Sequence, residues 1–463
     1  MIPVLTAEQM RAADAAALDE VVDSQVFIRR AGYAAAVVAK KMINGAYGRR
    51  VVVIAGKGHN GDDGRVAGQW LSEWGASVHY VSAEHAGAEF IDPRSADLVI
   101  DAAYGIGFRG TWTPPIVMDV PVLAIDIPSG LDATTGVVEG GILVADRTIT
   151  FAAVKTGMLF ADGPSVCGEI DVVDVGIDPP ADLDTHLVDA HDVARWLPVR
   201  DRSAHKWNHA VRVIAGSPGM GGAASLVAAA AMRAGASMVH LSWRGTSESV
   251  MPPTEVVGHV LPHQNWTQYV QQDLSRFASL VIGPGLGRGD DIGVEVRSLL
   301  TACNVPVVLD GDGLVACVDP NGGHSALLSR HVPTILTPHD GEFVMLGGDA
   351  HSPHRLEATR ALAEATQCVV VRKGPTTIVS HPSGEVFLSV SGDERLATAG
   401  TGDVLAGVIG AFVARGLDPF LAAVAGVHVH GLAGSATDGE GLIARDVVSA
   451  LPEVLTQLVS HVR

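Results

Sequence analysis

The residues best placed to do chemistry are Gly400-Thr401-Gly402-Asp403, where two glycines and a hydroxyl run into one carboxylate. The stretch that follows, residues 404–414, is apolar and stays free of charge until Arg415. That pattern predicts a buried helix and puts residues 400–402 at its N-terminus, where unpaired N–H groups and the positive end of the dipole collect anions. Gly400 and Gly402 would let the chain approach a phosphate closely, and Thr401 adds a hydroxyl donor. Asp403 would be repelled by a phosphate unless it has a task of its own. A carboxylate beside an anion hole suits a general base that takes a proton from a hydroxyl about to be phosphorylated. A glycine-rich turn with Asp403 as a helix cap would account for the same residues without chemistry.

A second group of candidates lies in the first half, in three loops that combine glycine with Asp or Asn. The first follows the apolar run 51–55 and reads Gly56-Lys57-Gly58-His59-Asn60-Gly61-Asp62-Asp63-Gly64. It has the Gly-x-Gly-x-x-Gly spacing of a dinucleotide-binding turn, with Glu84 near where a ribose ligand would fall. Asp62 and Asp63 stand where a pyrophosphate would have to lie, so the loop better suits a cation or the polar edge of a base or sugar. The other two loops are residues 101–111, from Asp101 to Thr111, and residues 126–132, from Asp126 through Ser129 to Asp132.

Strands are needed to deliver these loops to one edge. Short Val-, Ile- and Leu-rich runs at 51–55, 77–81, 97–101, 122–126 and 148–152 are separated by helical or glycine segments, with a helix placed at about 65–75. This rhythm predicts a mainly parallel sheet with helices on both faces. The stretch 179–192 is polar and acidic and holds a proline pair, which marks a domain boundary. A second α/β pattern starts at 211–215, and its glycine-rich turn 216–224 lacks the Gly-Lys-Ser/Thr ending of a P-loop. Further strand exits follow at 280–287, 307–312, 335–342 and 369–377. A chain of 463 residues is long enough for two such domains.

Bulk properties narrow the partners. A formal charge of -19 argues against nucleic acid or an anionic membrane as the main partner. The four cysteines are scattered with no Cys-x-x-Cys pair, which fits buried thiols in a reducing cytoplasm. No signal pattern opens the chain, and Thr6 with Gln9 reads as a capping box. The charge-free stretch 419–437 approaches a membrane span in length, but its histidines and glycines favour a buried helix.

Taken in order, these motifs resemble a known pair of families. The first half resembles the NAD(P)H-hydrate epimerases, whose loops read Gly-x-Gly-Asn-Asn-Gly-Gly-Asp-Gly, Asp-Ala-x-x-Gly-x-Gly and Asp-Ile-Pro-Ser-Gly; the last two stand intact at 101–107 and 126–130. The second half resembles the ADP/ATP-dependent NAD(P)H-hydrate dehydratases, through His205-Lys206, the glycine turn 283–287, Thr337-Pro-His-x-x-Glu342, Lys373-Gly374 and the stretch 400–407. The resemblance implies an α/β chain with an N-terminal Rossmann-like three-layer domain, residues 1–186, and a ribokinase-like α/β domain, residues 187–463. It implies that Asn60, Asp101 and Ser129 hold a potassium ion, and that His59, Asn60, Gly61, Asp62, Asp63, Gly105, Ile106, Gly107, Phe108, Arg109, Gly110, Thr111 and Asp126 line the hydrated nucleotide, with Asp126 catalytic. In the second half it implies Ala223, Gly285, His339 and Asp403 as substrate positions. It gives Lys373, Gly374, Pro375, Thr376, Thr377 and Gly402 the ADP or ATP, accompanied by Mg2+.

The activity so implied is nicotinamide nucleotide repair in the cytoplasm: interconversion of the R and S hydrates NADHX and NADPHX, and ADP-dependent dehydration of the S form. The partners are these small molecules, with no nucleic acid and no membrane, and a homo-oligomer is the expected assembly. His59 and Asp62 depart from the family's first loop, and Asp310-Gly-Asp312-Gly replaces the usual Asp-Ala-Asp-Ala. Asp62 is expected to add charge near the nucleotide phosphates, weakening binding and increasing reliance on potassium. Two other readings fit the motifs: a ribokinase-like small-molecule kinase making a stable phosphate ester, and a non-catalytic binding role for the first half.

Overall fold

The structure is a computed structural model that describes residues 1–21, 23 and 25–460. The chain divides into two compact units, Ile2–Thr185 and His186–Arg463.

In the first unit six strands form one parallel sheet. Across it the order is Glu169–Val173, Arg147–Phe151, Val122–Ile125, Leu98–Ala102, Arg50–Ala55 and Ser77–Ser82. The central strands are apolar at consecutive positions because both faces are covered. Val51, Val53, Leu98 and Ile100 pack under the helices Gln25–Met42 and His59–Glu73. Val52, Ile54, Val99 and Ala124 face the other way, against Ala86, Ile91, Trp112 and Leu143 from the connections. The two helices approach closely because Gly32 has no side chain: a Cβ there would lie 2.8 Å from the Asp63 carbonyl oxygen. The second helix begins at His59 rather than near Arg65, so residues 59–63 are its first turn and not a free loop. At the N-terminus, Thr6 and Gln9 form the capping box of the helix Ala7–Glu20. The preceding strand Ile2–Leu5 pairs in parallel with Val154–Lys155, setting Leu5 opposite Lys155.

In the second unit seven parallel strands are followed by two antiparallel ones, at Thr377–Ser380 and Val386–Ser389. Alternate residues serve two separate cores. Val213, Val281, Val308 and Ile335 point to the face covered by Gly221–Arg233, Thr401–Ala414 and Pro419–Ser435. Ile214, Ile282, Leu309 and Leu336 point to the face covered by Asp290–Ala302 and Arg355–Thr366. The helix Thr401–Ala414 lies very close to its neighbours: a Cβ on Gly407 would lie 2.3 Å from the Val227 carbonyl oxygen, and one on Gly410 2.4 Å from Val281 Cγ2. Pro419–Ser435 is a buried helix capped by Asp418, and among the described residues no helix is long and apolar enough to cross a membrane. Cys167, Cys303, Cys317 and Cys368 are free and buried.

Candidate active sites

In the first unit the strand ends open into a cavity of about 990 Å³. Its wall includes His59, Asn60, Asp63, Gly105, Ile106, Gly107, Phe108, Arg109, Thr111 and Asp126, which brings together most of the positions expected from sequence. The helix N-terminus supplies the first three, and the exit of the strand Leu98–Ala102 supplies the run 105–111. Gly61 and Asp62 are not part of the wall. Gly61 packs inward, where a Cβ would lie 2.1 Å from the Gly56 carbonyl oxygen. Asp62 pairs with Arg65 at 2.9 Å, both side chains partly exposed, and Arg65 also donates to the Gly56 carbonyl. The charge expected to repel nucleotide phosphates is therefore balanced on its own helix. Gly110, at φ +98°, also lies outside the wall.

Asp126 sits on the turn after Val122–Ile125 in the left-handed region, with φ 68°, and its N–H donates to the Ile149 carbonyl at 2.7 Å. Its Oδ1 lies 2.6 Å from Lys155 Nζ, and the Lys155 side chain is 1% exposed. The same ammonium donates to Thr150 Oγ1 and the Phe151 carbonyl. Lys155 was not expected from sequence: it follows a short apolar run and carries no motif. Deeper in the unit, Asp101 is buried and accepts from the Ser129 hydroxyl at 2.6 Å and the Ser129 N–H at 2.9 Å. Burial raises the Asp101 carboxyl above its usual range, while these donors act against the rise. Asn60 is buried, with neither its side-chain oxygen nor its nitrogen hydrogen-bonded among the described residues.

In the second unit the charged groups gather around Asp403. Lys373 Nζ lies 2.9 Å from Asp310 Oδ1 and 3.7 Å from Glu342 Oε2. A Cβ on Gly402 would lie 3.4 Å from the same ammonium, which places it at the start of the helix Thr401–Ala414. Thr337 donates to Asp310 Oδ1 at 2.7 Å, and the Lys373 N–H donates to the Pro338 carbonyl at 2.9 Å. Burial, together with Asp310, Asp312 and Glu342, pushes the Asp403 carboxyl up to about 7, with Lys373 pulling the other way. That value is suited to a base working near neutral pH. Gly400 takes φ +93° to turn into the helix, and His430 donates through Nε2 to the Thr401 carbonyl at 2.9 Å. Burial holds His430 down to about 4, so it is a neutral donor. Sequence reasoning gave His430 no place at the site and did not pair Asp310 with Lys373, because the contacts join residues 29 and 63 positions apart.

Of the other expected positions, Ala223 and Gly285 adjoin: a Cβ on Gly285, which has φ +60°, would lie 3.1 Å from Ala223 Cβ. His339 caps the helix Asp340–Met345, its Nδ1 accepting from the N–H groups of Gly341 and Glu342. Gly374 and Pro375 are exposed at the turn between Val369–Arg372 and Thr377–Ser380, Thr376 is buried, and Thr377 donates to the Gly374 carbonyl.

Comparisons with known proteins bear on both units. A family model described as NAD(P)H-hydrate dehydratase matches residues 211–453, and one described as YjeF-related protein N-terminus matches residues 24–89 and 81–157. The chain is 32% identical over 520 residues to the bifunctional NAD(P)H-hydrate repair enzyme of Moorella thermoacetica, covering 99% of this chain and 98% of that protein. The crystal structure of the ADP/ATP-dependent NAD(P)H-hydrate dehydratase of Bacillus subtilis, co-crystallised with ATP and Mg2+, matches with a TM-score of 0.51 and 27% identity, covering 59% of this chain and 98% of that one. A ribokinase-like superfamily protein of Enterococcus faecalis shares the fold, with a TM-score of 0.53 at 21% identity over 59% of this chain and 96% of that one. An Asp126–Lys155 cavity in the first unit and a ribokinase-like fold with Asp403 at a helix N-terminus in the second, matched nearly end to end by a two-part relative, place the chain in the family of bifunctional NAD(P)H-hydrate repair enzymes.

Proposed function

We propose that this chain returns hydrated NADH and NADPH to use, the first unit interconverting the R and S hydrates and the second dehydrating the S form with ADP or ATP. The observation that carries the reading is Asp403, a half-buried carboxylate in the first turn of the helix Thr401–Ala414, next to Gly402 and the Lys373 ammonium and raised toward neutral pKa by burial and Asp310. The C6 hydroxyl of the hydrated ring is a poor leaving group. Asp403 takes its proton as the oxygen attacks the terminal phosphoryl group of the nucleotide. The N–H groups of Gly400 and Gly402 and the Lys373 ammonium hold the charge that develops on the phosphoryl oxygens, the Thr401 N–H being turned to the Thr398 carbonyl. The C6–O bond then breaks, phosphate leaves, and loss of the C5 proton restores the dihydronicotinamide ring. Mg2+ supplies charge neutralisation on the nucleotide phosphates, and the carboxylates of Asp310, Asp312 and Glu342 are oxygen donors of the kind it takes.

In the first unit Asp126 is the catalytic carboxylate, held in place by Lys155. Asn60, Asp101 and Ser129 supply amide, carboxylate and hydroxyl oxygens, a hard donor set that suits K+, and the unpartnered buried Asn60 amide fits such a ligand. A cytoplasmic setting fits the four buried free thiols.

Incubation with mixed NADHX epimers and ADP tests the whole reading. Absorbance at the NADH band should grow until both epimers are consumed, with one phosphate released per NADH. A stable phosphate ester with no NADH would favour a small-molecule kinase. Consumption of the S form alone would leave the first unit without an epimerase role.

A further inference from the structure

We propose that Asp63 is the proton donor of the epimerase reaction, acting on the C6 hydroxyl from the wall of the first unit's cavity while Asp126, paired with Lys155, remains the anion. This rests on reading the first unit as an epimerase.

The carboxylates of this region differ in their partners. Asp126 has Lys155 at 2.6 Å, and Asp62 has Arg65 at 2.9 Å. Asp63 lies in the cavity wall, is 8% exposed, and among the described residues pairs with no cation; its Oδ1 has no hydrogen-bond partner at all. A buried carboxylate so placed is costly, whereas a buried carboxylic acid needs only one acceptor for its proton. The charged and titratable groups around it are Asp126 and Lys155, also in the cavity wall, Asp62 and His59 on its own helix, and Asp14 on the helix Ala7–Glu20, again in the wall. Burial first, then Asp126, Asp62 and Asp14, pushes the Asp63 carboxyl up to about 8. Of the three carboxyl groups in the cavity wall, Asp126 is ion-paired, Asp63 is buried and unpaired, and Asp14 is only half-buried, so the environment divides anion and acid roles between Asp126 and Asp63. The exposed cations Arg11 and Arg109 also belong to the wall, as does Lys57, which is paired with Glu84, so the cavity offers positive charge for the phosphates as well as carboxyls for the ring.

In the step, the Asp63 acid transfers its proton to the C6 hydroxyl oxygen. The N1 lone pair forms the N1=C6 bond as the C6–O bond breaks and water leaves. Asp126 stabilises the positive charge on the ring. Water then adds to the opposite face of C6 and gives its surplus proton to solvent, Asp63 regains a proton from solvent, and the N1=C6 electrons return to N1. Only the configuration at C6 has changed.

The test uses the full chain without ADP or ATP, so that only R-to-S conversion of NADHX is followed. Asp63→Asn is expected to lower kcat by about 10²–10⁴ with KM changed less than about threefold. Asp63→Glu should recover part of the rate. Wild-type kcat should fall as pH rises through the Asp63 titration, and that limb should be missing from the residual Asp63→Asn activity. In H₂¹⁸O each epimerised molecule should gain one ¹⁸O at C6. An Asp63→Asn enzyme at wild-type kcat, a wild-type rate that does not fall at alkaline pH, or epimerisation without ¹⁸O uptake would each overturn the proposal. A wild-type chain that does not interconvert the epimers would instead remove the epimerase reading, and this proposal with it.

Discussion

Asp403→Asn is expected to leave ADP binding intact and to lower dehydration of the S hydrate by about 10²–10⁴. Asparagine keeps the size and hydrogen-bonding reach of the side chain but cannot take the hydroxyl proton. The wild-type profile should show the same group: kcat/KM rises with pH through about 7, as Asp403 loses its proton, and the variant lacks that limb. Stability should move the other way. An unfolded aspartate loses its proton near its ordinary value of 3.8 and the folded one near 7, so the folded state binds the extra proton between these values and loses stability as pH rises across them. Asparagine does not titrate, so the variant should melt no lower than wild type at pH 8. A variant that dehydrates the S hydrate at the wild-type rate would show that another group is the base.

Lys155→Met should both destabilise the first unit and abolish most epimerisation. The Lys155 ammonium is buried with three oxygen partners, those of Asp126, Thr150 and the Phe151 carbonyl. Removing one member of a buried ion pair leaves the other uncompensated, at a cost of about 3–5 kcal/mol. For a domain of this size that corresponds to a Tm lower by roughly 10 °C. Pairing the change with Asp126→Asn removes the stranded charge, so the double variant should regain stability without regaining activity. Calorimetry of the three variants reads the coupling. A Lys155→Met protein with wild-type Tm and wild-type epimerisation would show that the pair contributes to neither.

Much of the scaffold could be read from sequence, for a physical reason. Apolar runs such as 51–55, 307–309 and 335–336 are strands covered on both faces, and glycine-rich exits mark where the chain must turn at the sheet edge. The helix after Gly400 was legible because charge vanishes for a full helical span. Less legible were strands whose residues are mixed in character, such as Val257–Val260, which is largely exposed at the sheet edge. The first turn of the helix His59–Glu73 was hidden by its own composition, since glycine, asparagine and aspartate at 60–64 have the look of a loop. They are helical because Gly61 and Gly64 fit against Gly56 and Ala102, where larger residues would collide. The catalytic environment was least legible. Lys155 reaches Asp126 from 29 residues away, and the direction of Asp62 toward Arg65 depends on a helical register that the loop reading had ruled out.

The four cysteines carry one more consequence. Cys167 belongs to the first unit, and Cys303, Cys317 and Cys368 to the second. Burial pushes the Cys167 and Cys368 thiols up to about 12 and raises Cys317 as well. A thiol that is covered and protonated is a poor target for alkylating reagents, because the thiolate is the nucleophile. Labelling must therefore wait for the surrounding core to open. Each unit thus carries a built-in chemical clock: alkylation of Cys167 times the opening of one core, alkylation of the other three times the opening of the other, and mass spectrometry reads both rates on a single unmodified chain.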